Sequence, residues 1–187
     1  MGEAREPQPV KVFVGILSAR PSALTELRSS LEEQLGPVDC ESQLLDFTYT
    51  DYYELEMGSG LKRKFWGFGR LAGPDALVDL KLFTNQMEQS LAANAKRTVN
   101  IDPGYLTPAR VVLASTKDFG HRLYLGKGIY GEVTLMYQKK EFQPLPWTYP
   151  DYRSEAYHQF FRELRRLYMT QLAQSGSAGG EDDLPAR

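Results

Sequence analysis

The segment Val10 to Leu17, VKVFVGIL, constrains the fold more than any other stretch of the chain. It is an apolar, β-branched run of strand length, which predicts a central strand buried in a sheet. Directly after it, Leu24, Leu27, Leu31 and Leu35 recur at intervals of three and four, and Gly36-Pro37 follows as a stop signal. That spacing predicts an amphipathic helix from Ser22. A strand leading into a helix with one apolar stripe needs a sheet for the helix to cover.

The remaining periodicities extend that start. Val38 to Tyr49 reads as a less apolar strand. Lys62 to Leu71 reads as another, with Lys62, Lys64, Trp66, Phe68 and Arg70 on one face and Gly67 and Gly69 on the other. Gly73-Pro74 opens a second helix whose stripe is Leu77, Leu80, Thr84, Met87 and Leu91. Thr98 to Ile101 is a brief strand, Asp102-Pro103-Gly104 a turn, and Thr107-Pro108 the start of a short helix through Ser115. His121 to Tyr137 reads as two strands about the glycines of Gly126 to Gly131, and Asp151 to Gln174 as a helix with a Tyr157, Phe161, Leu164, Tyr168 and Leu172 stripe. The order predicts an α+β fold: a two-layer sandwich with a ferredoxin-like core of mixed or antiparallel sheet and helices on one face, plus an added hairpin and a C-terminal helix. One domain is expected over residues 10–174, between a flexible leader at 1–9 and a disordered tail at 175–187.

Composition narrows the function by exclusion. No apolar run reaches the ~18–20 residues of a membrane span, and residues 1–9 lack the hydrophobic stretch of a secretory signal. A soluble, cytoplasmic protein with no membrane partner is expected. With 22 Lys and Arg against 24 Asp and Glu, the net charge of -2 makes nucleic acid an unexpected partner. A single cysteine, Cys40, and two histidines leave no disulfide scaffold and too few ligands for a structural zinc site.

Several segments carry candidate chemistry beside plainer readings. LGKGIYGEV (Leu125 to Val133) has the G-x-G-x-x-G-x-V spacing of a kinase phosphate loop, but the downstream kinase Asp and Asn motifs are missing, so a kinase is rejected. Gly126, Lys127 and Gly128 then serve a tight hairpin, or a hairpin that also touches an anion. MGSGLKRK (Met57 to Lys64) joins Gly58 to Lys62, Arg63 and Lys64 and suits phosphate or carboxylate, yet is not a Walker loop; a solvated basic turn is the alternative. KRKFWGFGR places aromatic rings among cations, and core packing of Phe65 or Phe68 is the stronger reading against base stacking. The carboxylates Asp46, Asp51, Glu54, Glu56, Asp102, Asp118 and Glu132 offer oxygen ligands for magnesium, with ion pairs as the ordinary alternative. His121, close to Asp118 and Arg122, is the one histidine outside the last helix and the better general acid or base. His158 reads as a packed helix residue, Cys40 as inert, and Arg162, Arg165 and Arg166 as a solvated helix face.

The wording VFVGILS, DFTYTDYYELEMGSGLKRKFWGF, KLFTNQME, VNIDPGYLTPARVVLASTKDFGHRLYLGKGIYGEVTL and WTYPDYRSEAY, running from Lys11 to Arg166, resembles the bacterial family known as domain of unknown function 4416. The resemblance implies a GTP-binding label that some members carry, though no Walker motif stands behind it here, and it brings no established catalytic residues. It directs attention to polar and glycine positions within that wording. The expected function is therefore binding of a nucleotide or other phosphorylated small molecule, in a cleft between the 57–64 and 126–132 segments. Its expected ligand-binding residues are Tyr52, Glu56, Gly58, Lys62, Arg63, Arg122, Gly126, Lys127, Gly128 and Tyr130. An enzyme acting on such a ligand through His121, Asp118, Glu132 or Asp102, and a protein- or RNA-interaction module, are the alternatives.

Overall fold

A computed structural model of the protein describes residues 2–94 and 96–175. Of the expected tail, only Ser175 lies among the described residues. Within them nine strands form one sheet: β1 (Val10–Ser18), β2 (Val38–Glu41), β3 (Leu45–Asp46), β4 (Lys62–Ala72), β5 (Val99–Leu106), β6 (Arg110–Ser115), β7 (Leu123–Gly126), β8 (Ile129–Gln138) and β9 (Glu141–Pro144). The path across the sheet is β2-β4-β1-β5-β6-β8-β7, with β3 on β4 and β9 on β8. Every pairing is antiparallel. Four helices accompany it: α1 (Ser22–Leu35), α2 (Glu54–Met57), α3 (Ala76–Ser90) and α4 (Glu155–Gln174). The protein is thus an α+β domain with a largely antiparallel open sheet.

All nine residues of β1 are buried, because α-helical layers cover both faces of the sheet there. On one face Val12, Val14, Ile16, Trp66 and Phe68 pack with Leu27 and Leu31 of α1 and Leu80 of α3. On the other, Phe13, Phe65, Leu113 and Leu135 pack with Phe160, Phe161, Leu164 and Tyr168 of α4. This corrects the two-layer expectation: α4 forms a third layer opposite α1 and α3. Gly67 of β4 lets it approach, since a Cβ there would lie 2.2 Å from a Leu164 methyl. The apolar i, i+3, i+4 stripe of α4 was legible in sequence, but a stripe does not say which face of a sheet receives it.

Four local expectations also change. Val38 to Tyr49 is broken into β2 and the two-residue β3. Asp102-Pro103-Gly104 is not a turn but the middle of β5, where Pro103 pairs with Val14 and β6 joins only from Gly104 onward. A proline is tolerated where a strand has a partner on one side only. Thr107-Pro108 starts no helix: Thr107 turns the chain into β6, whose RVVLAS run is a strand beside β8. The last helix begins at Glu155, after a 3-10 turn at Asp151–Arg153, with Ser154 capping it by accepting from the Tyr157 amide.

Candidate functional site

The β7–β8 hairpin resolves the glycine motif. Lys127 and Gly128 both hold positive φ, 51° and 77°, the two-residue turn whose twist matches its strands, so the glycine serves the reversal. Lys127 Nζ pairs with Asp79 of α3 at 2.7 Å, while Lys62 pairs with Asp46 of β3. Between β4 and β8 lie β1, β5 and β6, four interstrand steps, roughly 19 Å at ~4.8 Å each. Lys62 and Lys127 are therefore not brought together. Gly58 closes α2 at positive φ, its amide donating to the Glu54 carbonyl, and Tyr130 packs edge-on to Tyr124.

Other expected residues do converge, on the α4 side of the sheet. Arg63 is 3% exposed and sits between two carboxylates: Nη1 donates to Asp102 Oδ2 at 3.1 Å, and Nη2 lies 3.5 Å from Asp151 Oδ2. Asp102 Oδ2 also accepts from Asn100 at 2.7 Å, and Lys81 stands 4.0 Å from its other oxygen. Burial works against the Asp102 charge, but Lys81 and Arg63 outweigh it and hold the carboxyl below its ordinary value. Asp151 goes the other way, burial raising it against the opposing pull of Arg63. Burial also pushes the Tyr53 hydroxyl to about 12 and that of Tyr152 well above its ordinary range. Glu56 is held by the Arg97 side chain through two bonds, at 2.7 and 2.9 Å, and by the Arg97 amide at 3.4 Å, which lowers its carboxyl.

Beside this array Glu132 of β8, 2% exposed, gathers His121 and Arg122. Its Oε2 accepts from Arg122 Nε at 2.8 Å and lies 3.0 Å from His121 Nε2. Its Oε1 is buried and has no hydrogen-bond partner among the described residues. Arg122 also donates to the Lys117 carbonyl at 3.0 Å and the Tyr149 hydroxyl at 2.6 Å. The His121 ring stacks on Trp147, 5.2 Å between centroids at 8°, and Phe119 lies beside it at 5.2 Å. Trp147 is fixed by donating to the Val133 carbonyl, in the stretch of the β8 edge between its pairings with β7 and β9. An ionised Glu132 places the imidazole proton on Nε2 and leaves the lone pair on Nδ1.

Lys117 closes the rim. Its ammonium lies 5.1 Å from the Tyr52 ring and donates to the Tyr52 hydroxyl at 3.4 Å, and it makes no ion pair with any described residue. Tyr52, Phe119, Trp147 and Tyr149 are all exposed, so rings and cations face solvent together. Asp118 is exposed in the same loop. Tyr149 and Tyr152, 6.5 Å apart, join this rim to the Arg63 array. Sequence reasoning missed Lys117, Trp147, Tyr149 and Asp151. Lys117 belongs to STKDFG and the rest to WTYPDY, wording already legible as distinctive, but nothing in the spacing ties either segment to Glu132.

For metal chemistry, no three His, Cys, Asp or Glu side chains among the described residues stand close enough to hold an ion. The Arg63 guanidinium itself supplies the positive charge between Asp102 and Asp151. No helix among the described residues is long and apolar enough to cross a membrane.

An antiparallel sheet with helices on both faces, carrying a basic and aromatic rim where β8 meets the loops on either side, defines the class of this domain. The model of the family described as Domain of unknown function (DUF4416) matches residues 8–168, and the chain belongs to that family. No curated protein and no solved structure matches it.

Proposed function

We propose that the protein binds a small phosphorylated ligand bearing a planar ring, of the nucleotide class, at the rim made by Tyr52, Lys117, Phe119, His121, Trp147 and Tyr149. One observation carries this reading: Lys117 has no carboxylate partner among the described residues, and its ammonium lies 5.1 Å from the exposed Tyr52 ring. Lys62, Arg63, Arg122 and Lys127 are each already matched to a carboxylate. An ammonium beside open rings suits a phosphate and a stacked base respectively. Thermal unfolding with guanine and adenine nucleotides, nucleosides and pyrophosphate tests it. Nucleotides at about 100 times Kd add about 2.7 kcal/mol of stability, a rise of about 5–10 °C for a chain of this size. The Tyr52→Ala, Lys117→Glu double variant loses that rise. If no phosphate compound shifts the wild type, the reading fails.

The Glu132–His121 pair favours a second reading, acid–base chemistry on the same ligand, because the carboxylate fixes the ring and leaves Nδ1 to exchange a proton. Turnover of a bound nucleotide that survives His121→Gln unchanged would remove it. For the fold, we further propose that β1, α1, β2, β4, α3 and β5 form a ferredoxin-like unit. Support comes from the strand order β2-β4-β1-β5, antiparallel throughout, with both connecting helices on one face.

A further inference from the structure

On the face opposite the rim, a partly enclosed cavity of about 310 Å3 lies between the end of α1, the start of α3 and the sheet. We propose that this cavity binds a small apolar carboxylate, its hydrocarbon part inside and its charged end on Arg70. Val12, Leu35, Leu77, Leu80, Phe83 and Tyr105 wall the space. Apolar side chains that face water in such a pocket gain when an apolar guest covers them, through burial and through dispersion contacts. It also stands at the lower end of the ~300–1,000 Å3 typical of small-molecule sites, mostly apolar with a few polar groups.

The charge at its mouth selects the guest. Arg70 lines the cavity, is exposed, and makes one hydrogen bond, to the Gln34 carbonyl at 3.4 Å; it has no ion pair among the described residues. Asp79, the carboxylate on the same lining, is already matched to Lys127 at 2.7 Å and does not neutralise it. A cavity walled mainly by apolar side chains, with Gln34 and the already paired Asp79 on its lining and one unmatched guanidinium, recognises an acid over an alcohol or an amine of equal length. Arg70 is on the opposite side of the sheet from Lys117, so this site stands independently of the nucleotide reading.

Calorimetric titration of the full chain with hexanoate, hexanol and hexylamine tests the proposal. Hexanoate binds about tenfold more tightly than hexanol, hexylamine does not bind, and Arg70→Gln brings acid and alcohol to the same affinity. Ala76→Trp, at an exposed position of the first turn of α3 on the cavity lining, abolishes binding of both while leaving the unfolding temperature near wild type. Absence of hexanoate binding, equal binding of acid and amine, or acid preference that survives Arg70→Gln would each overturn it.

Discussion

Adding one methyl at Gly67 tests the third layer directly. The new Cβ would stand 2.2 Å from Leu164 Cδ1 and 3.3 Å from Cys40 Cβ. Leu164 is fully buried among Phe13, Phe65 and Phe161, so its methyl has nowhere to go without displacing neighbours. Overpacking of this kind costs about 1–3 kcal/mol, offset by about 0.4–1 kcal/mol because alanine restricts the unfolded chain. Gly67→Ala is therefore expected to lose up to about 2.6 kcal/mol net. Leu164→Ala alone costs about 2–5 kcal/mol through the cavity it leaves. In that background only the Cys40 Cβ, at 3.3 Å, stays close to the extra methyl, so Gly67→Ala becomes nearly neutral. Urea denaturation of the four proteins, followed by circular dichroism, gives a coupling of about 1–3 kcal/mol in favour of the double variant. Effects that add within about 0.3–0.5 kcal/mol would show that Leu164 does not lie on Gly67 and would refute the placement of α4.

Removing Arg63 by Arg63→Ala leaves Asp151 without an ion-pair partner among the described residues and Asp102 with Lys81 alone, at a cost of about 3–5 kcal/mol in denaturant unfolding; Arg63→Lys, with one ammonium for two carboxylates, recovers only part of it. Asp102 is depressed in the folded state, so its contribution to stability is fully present above its unfolded value near 3.8 and is lost as pH falls through the lower folded value. Wild type should accordingly lose stability on acidification below pH 4 more steeply than Asp102→Asn, measured as unfolding midpoint against pH. Burial pushes the Cys40 thiol from 9.0 to about 12, which lowers its thiolate fraction at pH 8 roughly 1,000-fold. A disulfide reagent at pH 8 should label it only at the rate of global unfolding, and fast labelling of folded protein would contradict its burial.

What the sequence disclosed and withheld has physical causes. β1, α1, β4, α3 and α4 were legible because each repeats an apolar pattern over eight residues or more. RVVLAS was not, since a short apolar run fits helix and strand alike and Thr-Pro before it resembles a helix start. Asp-Pro-Gly carries the strongest local turn signal in the chain, yet β1 draws it into the sheet, tertiary pairing overriding local preference. For the site, Glu132, His121, Arg122 and Asp102 were named individually. Their partners Tyr149, Trp147 and Asp151 come from the segment between β9 and α4, whose approach to β8 depends on α4 crossing the far face of the sheet. The cations Lys62 and Lys127 drew attention as charges, but sequence gives no sign that Asp46 and Asp79 already satisfy them.

The two tryptophans make the central claim measurable in one spectrum. Trp147 stacks on His121 at the rim, whereas Trp66 is buried against α1 on the opposite face and serves as an internal reference. Titration of 15N-labelled protein with guanosine monophosphate, followed at the two indole N–H signals, is expected to move the Trp147 resonance saturably and leave that of Trp66 in place. A saturable change confined to Trp66, or no change at Trp147 while the ligand binds elsewhere, would contradict the assignment of the ligand to this rim.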